Sequence, residues 1–305
     1  TAGAGLVMST CSGTVATISG GLFAGAMGGI GLNAVTQVAV SISGGAAMTG
    51  FYAIVMLANS VDSTFSVTPD CTAAKIRIED ALMPALKIDA SALPPGVLYE
   101  VERVTFHGSG AYGLWATNLL AANTVQLTDV ASHSAASALV VDASTGGTVS
   151  VTNGDFTATG HAVDINNIAA VALTMTSVTA ASTAGTGIGV SVATTSASSV
   201  IVMTGVSATS FGGEGISLTG IAATTVTING LSSASGGTNK DGLFANGFTG
   251  ASPLVVADSS FTGDGTGTGF HAKNFAATAP ITATGVDAES LGAGFGFHID
   301  AFAAS

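Results

Sequence analysis

The chain has 305 residues, of which 8% are charged and 42 are glycine. It is too apolar for disorder, and its glycines keep no collagen-like three-residue period. Six Lys and Arg against 18 Asp and Glu give a net charge of −12, which repels nucleic-acid phosphates and anionic lipid. Two cysteines, Cys11 and Cys71, are too few for a disulfide scaffold and too far apart for a zinc knuckle; one bridge, within or between subunits, stays open. The sequence starts at Thr1 with no basic-then-apolar leader, so the expectation is an exported protein, extracellular or at the cell surface, whose signal has been removed.

The first 61 residues carry no charge, yet glycines punctuate them and the run Ala46 to Ala58 is shorter than the roughly 20 residues of a membrane helix. Along the chain, short apolar-x-apolar strands recur at Ala16-Thr17-Ile18, Val40-Ser41-Ile42, Phe65-Ser66-Val67, a weak copy Leu86-Lys87-Ile88, Val104-Thr105-Phe106 and Val125-Gln126-Leu127. They continue at Val149, Leu173, Ile201, Val226, Leu254 and Ile281, giving about twelve units of roughly 24 residues, the period of a solenoid coil. Each unit holds a second strand in the frame Gly-apolar-x-apolar-x-(Asn/Gly/Ala)-apolar. Examples are Gly29 to Val35, Gly113 to Leu119, Gly215 to Ile221, Gly242 to Phe248, Gly269 to Phe275 and Gly296 to Phe302. Alternation turns the apolar positions inward, and the Asn or Gly before the last of them suits a left-handed turn residue.

With these two frames the sequence resembles a right-handed parallel β-helix, the all-β solenoid shared by pectate lyases, phage tailspikes and many surface adhesins. The expected organisation is an N-terminal segment over 1–12 and a single β-helix domain over 13–305. Residues 71–103 would form irregular coils with a charged loop, since Lys75, Arg77, Lys87 and Arg103 lie there with Pro84, Pro94 and Pro95.

Outward positions carry function in such a fold, because the core only holds it together. The first strand shows a broken two-column Thr/Ser face, from Ser41/Ser43 to Thr282/Thr284. The second strand's outward columns read Gly31, Trp115, Val140, Asp164, Gly189, Ser217, Phe244, His271, His298 and Asn33, Thr117, Asp142, Asn166, Ser191, Thr219, Asn246, Lys273, Asp300. Trp115, Val140, Phe244, His271 and His298 are read as a candidate assembly face, because exposed apolar side chains on so uncharged a surface call for a partner. Asp142 and Asp164, with His161 nearby, are the best carboxylate pair, and His271 with His298 are one coil apart.

These features lead to the expectation of an extracellular structural protein, not an enzyme, that self-assembles into a fibre, sheath or surface layer. Its partners would be copies of itself, with cell-surface polysaccharide as a further contact; neither nucleic acid nor membrane insertion is expected. No catalytic residue, cofactor or metal is assigned. One alternative is an adhesin or ice-binding solenoid using the Thr/Ser face. Another is a polysaccharide hydrolase or lyase built on Asp142 and Asp164, for which Arg77 and Arg103 are the available arginines.

Overall fold

The computed structural model describes the strands up to Asp89 by their backbone course, and residues 97–303 apart from 107–111, 135 and 236–237. The protein is a parallel β-helix. Its first sheet runs through twelve strands, a second of short strands through ten and a third through nine, and every strand pair is parallel. Twelve turns were expected from the sequence; about seven, over 124–300, are described in backbone and, apart from 135 and 232–237, in side chains.

The alternation read from the sequence is the alternation of the coil wall. Thr148–Thr152 buries Val149 and Val151 and turns Thr148, Ser150 and Thr152 outward. In register, Val125, Val149, Leu173, Ile201, Val226 and Leu254 form one inward ladder of the first sheet. Leu114, Leu139, Val163, Val190, Ile216, Leu243 and Phe270 form another in the third. Stacking like on like gives each side chain the same neighbour above and below, so each coil is buried only when its neighbours are present. Toward the C-terminal end the ladders turn aromatic, with Phe248 and Phe275 stacked at 4.4 Å.

Corners repeat as regularly as walls. After each first-sheet strand from Leu98–Glu102 onward one residue takes positive φ: Arg103, Asp129, Asn153, Ser177, Gly205, Gly230, Asp258 and Gly285. The third-sheet frame does the same at Asn118, Gly220, Gly247 and Asn274, at the position the sequence marks by its Asn or Gly. Asn153 donates from Nδ2 to Asp129 Oδ1 at 3.0 Å, tying one corner to the next. Buried hydroxyls close the remaining gaps. Ser144, Ser199 and Ser252 accept the backbone N–H of Leu119, Val171 and Thr224 one turn earlier.

Three assignments change. Val104-Thr105-Phe106 does not lie in the first sheet: Thr105–Phe106 pairs with Ala131 and Ser132 in the second, and Leu98–Glu102 is that turn's first-sheet strand. Leu86–Asp89 belongs to the third sheet, opposite Leu114 to Thr117. The strands at Val15–Ser19, Ala39–Ser43 and Thr64–Val67 form a separate three-stranded sheet, while Gly28–Asn33 pairs with the first-sheet strands. Both frames share the same apolar-x-apolar centre, so they are interchangeable by pattern where corner residues are weak. The second sheet was not anticipated, because its four-residue strands bury only two side chains each, often Ser or Ala, as in Ala131–Ser134 and Ser207–Ser210. Cys11 and Cys71 lie outside the described residues.

Candidate functional site

The outward face of the third sheet gathers most of the chemistry. Register places Lys87, Trp115, Val140, Asp164, Ser191, Ser217, Phe244, His271 and His298 in one column. Beside it run Asp89, Thr117, Asp142, Asn166, Ala193, Thr219, Asn246, Lys273 and Asp300. The five residues expected to share a face therefore share a column. Ser191 moves into the first column and Ala193 into the second, because Gly189, not Gly187, opens that strand's frame. Gly31 and Asn33 belong to the first sheet.

The frame glycine is a matter of close approach. A Cβ on Gly242 would lie 2.6 Å from the backbone nitrogen of Thr262, and one on Gly269 would lie 2.5 Å from that of Glu289, so the third sheet opens against the backbone of the second. This fixes where each outward side chain emerges.

Two clusters stand on the columns. In the first, Asp164 and Asp142 are diagonal neighbours on adjacent strands, since Asp164 pairs with Val140 and Asp142 with Asn166. Two residues of rise and one strand spacing put their Cα atoms about 8 Å apart. Both side chains are half-buried. Burial pushes the Asp164 carboxyl above its ordinary range; His161 pulls it back down, and the Asp142 charge pushes it up again. His161 Nδ1 accepts the Ile188 N–H at 3.1 Å, so in the neutral ring the proton sits on Nε2. Asn167 donates from Nδ2 to Asp142 Oδ1 at 3.4 Å. On the turn before Val140, Trp115 lies half-exposed with Tyr112 at its edge, ring centroids 4.9 Å apart. On the other side the column is shaded: Ser191 and Ser217 are 8% and 7% exposed.

In the second cluster, His271 is held between two carboxylates. Its Nδ1 lies 2.9 Å from Asp241 Oδ2 and its Nε2 3.3 Å from Asp300 Oδ2, while His298 Nε2 lies 3.0 Å from Asp300 Oδ1. The two imidazoles stack at 5.1 Å and 14°. Phe244 meets His271 edge-on, and Lys273 Nζ sits 5.0 Å above the Phe244 ring. Asp241 was missed by the sequence reading; its only signal is an acid immediately before the frame glycine Gly242, as Glu214 stands before Gly215. Glu214 accepts from Lys240 Nζ at 3.2 Å, so the two acids in equivalent places have different partners.

The two arginines weighed for a lyase lie elsewhere. Arg77 belongs to a first-sheet strand, and Arg103, at the corner after the next such strand, pairs with Glu102. The first sheet also carries the Thr/Ser columns, as Thr128, Thr152, Thr176 and Thr204 in one and Ser150 and Thr174 in the other, but only from Gln126 onward. N-terminal to Gln126 the same column holds Glu100 and Arg77.

No protein-family model and no curated protein matches the chain. Among solved structures it is similar to the enzymatically active domain of tailspike protein 2 of bacteriophage CBA120, at 12% identity and a TM-score of 0.47, over 90% of this chain and 48% of that one. Full-length tailspike protein 2 of an Escherichia coli O157:H7 bacteriophage gives 13% identity and a TM-score of 0.46, over 92% and 43%. A periplasmic alginate epimerase gives 10% and 0.26, over 90% and 77%. The chain spans about half the length of the tailspike domain it matches. These similarities are of fold, a parallel β-solenoid. They also correct the expectation of a non-enzymatic subunit assembling into a fibre, sheath or surface layer, because these neighbours are named for an enzymatically active domain and an epimerase. Low charge and outward apolar side chains are no mark of a structural polymer on this fold, since an outward aromatic serves equally as a platform for a ligand.

Proposed function

We propose that the protein is a polysaccharide-acting enzyme, a glycoside hydrolase whose centre is Asp164 with Asp142 on the outward face of the third sheet. The observation that carries this reading is the Asp164 carboxyl, raised by burial, pulled back by His161 and raised again by the adjacent Asp142 charge. A carboxyl raised by its surroundings beside a second carboxyl is the arrangement from which glycosidic cleavage draws its acid. Asp164 donates its proton to the glycosidic oxygen as the bond to the anomeric carbon breaks. Asp142 takes a proton from the water whose oxygen bonds to that carbon. The products are a sugar hemiacetal and an alcohol, and the proton returns from Asp142 to Asp164 through solvent.

The two carboxyls rise from adjacent strands of one face, on Cα atoms about 8 Å apart, which is the paired arrangement that hydrolysis by two carboxylates uses. Trp115, two strands away in the same column, offers an aromatic face to a sugar bound beside the cleaved bond. With a net charge of −12 and both arginines on the first sheet, a neutral glycan suits this face better than a polyuronate, and hydrolysis better than elimination.

Reducing-end release from a panel of neutral polysaccharides tests the proposal. Asp164→Asn and Asp142→Asn should each lower turnover by about 10²–10⁴-fold with unchanged circular dichroism. Absence of release from every neutral glycan, or release that survives both substitutions, would overturn it.

A further inference from the structure

We propose that His271 Nε2, His298 Nε2 and the Asp300 carboxylate form a binding site for a divalent first-row transition metal, with Asp241 as the residue that positions His271. The ligand atoms of the three residues all lie within 4.8 Å of one another. The site is distinct from Asp142 and Asp164: five strand spacings separate His298 from Asp164 in the column, about 24 Å.

The contacts of the two rings point to the metal. A neutral imidazole has one N–H, and His271 faces a carboxylate oxygen at each nitrogen. Asp241 is the better-fixed acceptor, because its Oδ1 already accepts the Thr268 N–H at 2.7 Å and its side chain is only 13% exposed. The ring proton therefore belongs on Nδ1, which leaves the Nε2 lone pair aimed at the lone pairs of Asp300 at 3.3 Å. A cation between them removes that repulsion. His298 turns its own Nε2 to the same carboxylate, 3.0 Å from Asp300 Oδ1, with its ring stacked on that of His271. One divalent ion satisfies both nitrogens and the carboxylate together. Lys273, the register neighbour of Asp300, does not take that place, because its ammonium lies over Phe244 on the preceding turn.

The geometry fits the ion. Tetrahedral zinc with ligand bonds near 2.05 Å has ligand-to-ligand edges of about 3.3 Å; His271 Nε2 lies 3.3 Å from Asp300 Oδ2 and His298 Nε2 3.0 Å from Asp300 Oδ1, and one ligand atom from each residue lies within 4.8 Å of the others. Two His nitrogens and one carboxylate leave a coordination position for water or a ligand. Asp241 completes the carboxylate–histidine pairing that orients a metal-bound ring. The metal would also tie the strand Phe270–Ala276 to Phe297–Ala303, whose inward Phe297 and Ile299 are 44% and 40% exposed.

The test uses the full chain, stripped with chelator and titrated calorimetrically with Zn²⁺. Wild type should bind one ion with a rise in thermal midpoint on addition of Zn²⁺. His298→Gln and Asp300→Asn should each weaken binding by at least about 100-fold and abolish that rise, while Asp241→Asn weakens it by about 10–100-fold. His298 is 34% exposed, so Gln fits without repacking the core, and circular dichroism checks the fold. No uptake, or uptake that survives both ligand substitutions, overturns the site; affinity unchanged in Asp241→Asn overturns the positioning role.

Discussion

Asp164 and His271 occupy the same column of the same sheet, four strand spacings apart with Ser191, Ser217 and Phe244 between them, and their surroundings make them different chemical groups. Asp164 is raised by burial and by a like charge on the diagonal, against the pull of His161. His271 has an anchored carboxylate behind it and a shared carboxylate in front, so its ring is oriented and its second nitrogen is left open to a cation. The solenoid supplies identical backbone placement at both sites. What differs is the set of partners: His161 before the same strand and Asp142 on the turn before in one case, Asp241 before the preceding turn's strand and Asp300 on the turn after in the other.

That contrast can be broken most severely at the Asp pair, where either Asn substitution should cost about 10²–10⁴-fold in turnover while leaving Zn²⁺ affinity untouched. Core truncation beneath each cluster comes next. Phe156, fully buried on the second sheet, should lose about 3–5 kcal/mol on Phe156→Ala in denaturant melts. Phe270→Ala should sit at the low end of that range, since its edge-on neighbour Phe297 is 44% exposed and can settle into the space.

The pH response sharpens the comparison further. Because the native Asp164 carboxyl binds its proton more tightly than the unfolded one, stability falls as pH rises from the ordinary carboxylate value to the raised one, and is highest below both. Asp164→Asn should remove that slope, as melts across pH 3 to 7 would reveal; a slope that persists would place the titrating group elsewhere. The smallest effect belongs to the corners. Thr194, a β-branched residue at φ 52°, occupies the position that Gly220 and Gly247 fill in later turns, and Thr194→Gly should gain up to about 1 kcal/mol in the same melts.

Much of this was legible in the sequence. The inward ladders follow from period-two alternation, the left-handed corners from Asn118 and Asn274, and the third-sheet face from the Gly-opened frame. Asp142, Asp164, His271 and His298 could be put in their columns by counting from that glycine. The count slipped where two glycines compete, at Gly187 and Gly189, and where the corner signal is weak, before Leu98. The second sheet escaped because a pair of inward Ser or Ala has no hydrophobic signature. Asp241 was invisible for another reason: it lies outside the strand, and its partner is 30 residues away in the chain. The functional expectation failed where composition stood in for chemistry, since outward Trp115 and Phe244 speak of something to be bound without saying what.

The central claim is that burial and the neighbouring Asp142 charge raise the Asp164 carboxyl. Carboxyl carbon resonances of the two residues, followed by NMR through the acid range in wild type and in Asp142→Asn, test it directly. Asp164 should titrate above the ordinary aspartate range, and the substitution should move it downward by removing the like charge. An Asp164 that titrates at the ordinary value, and is indifferent to Asp142, would contradict the account.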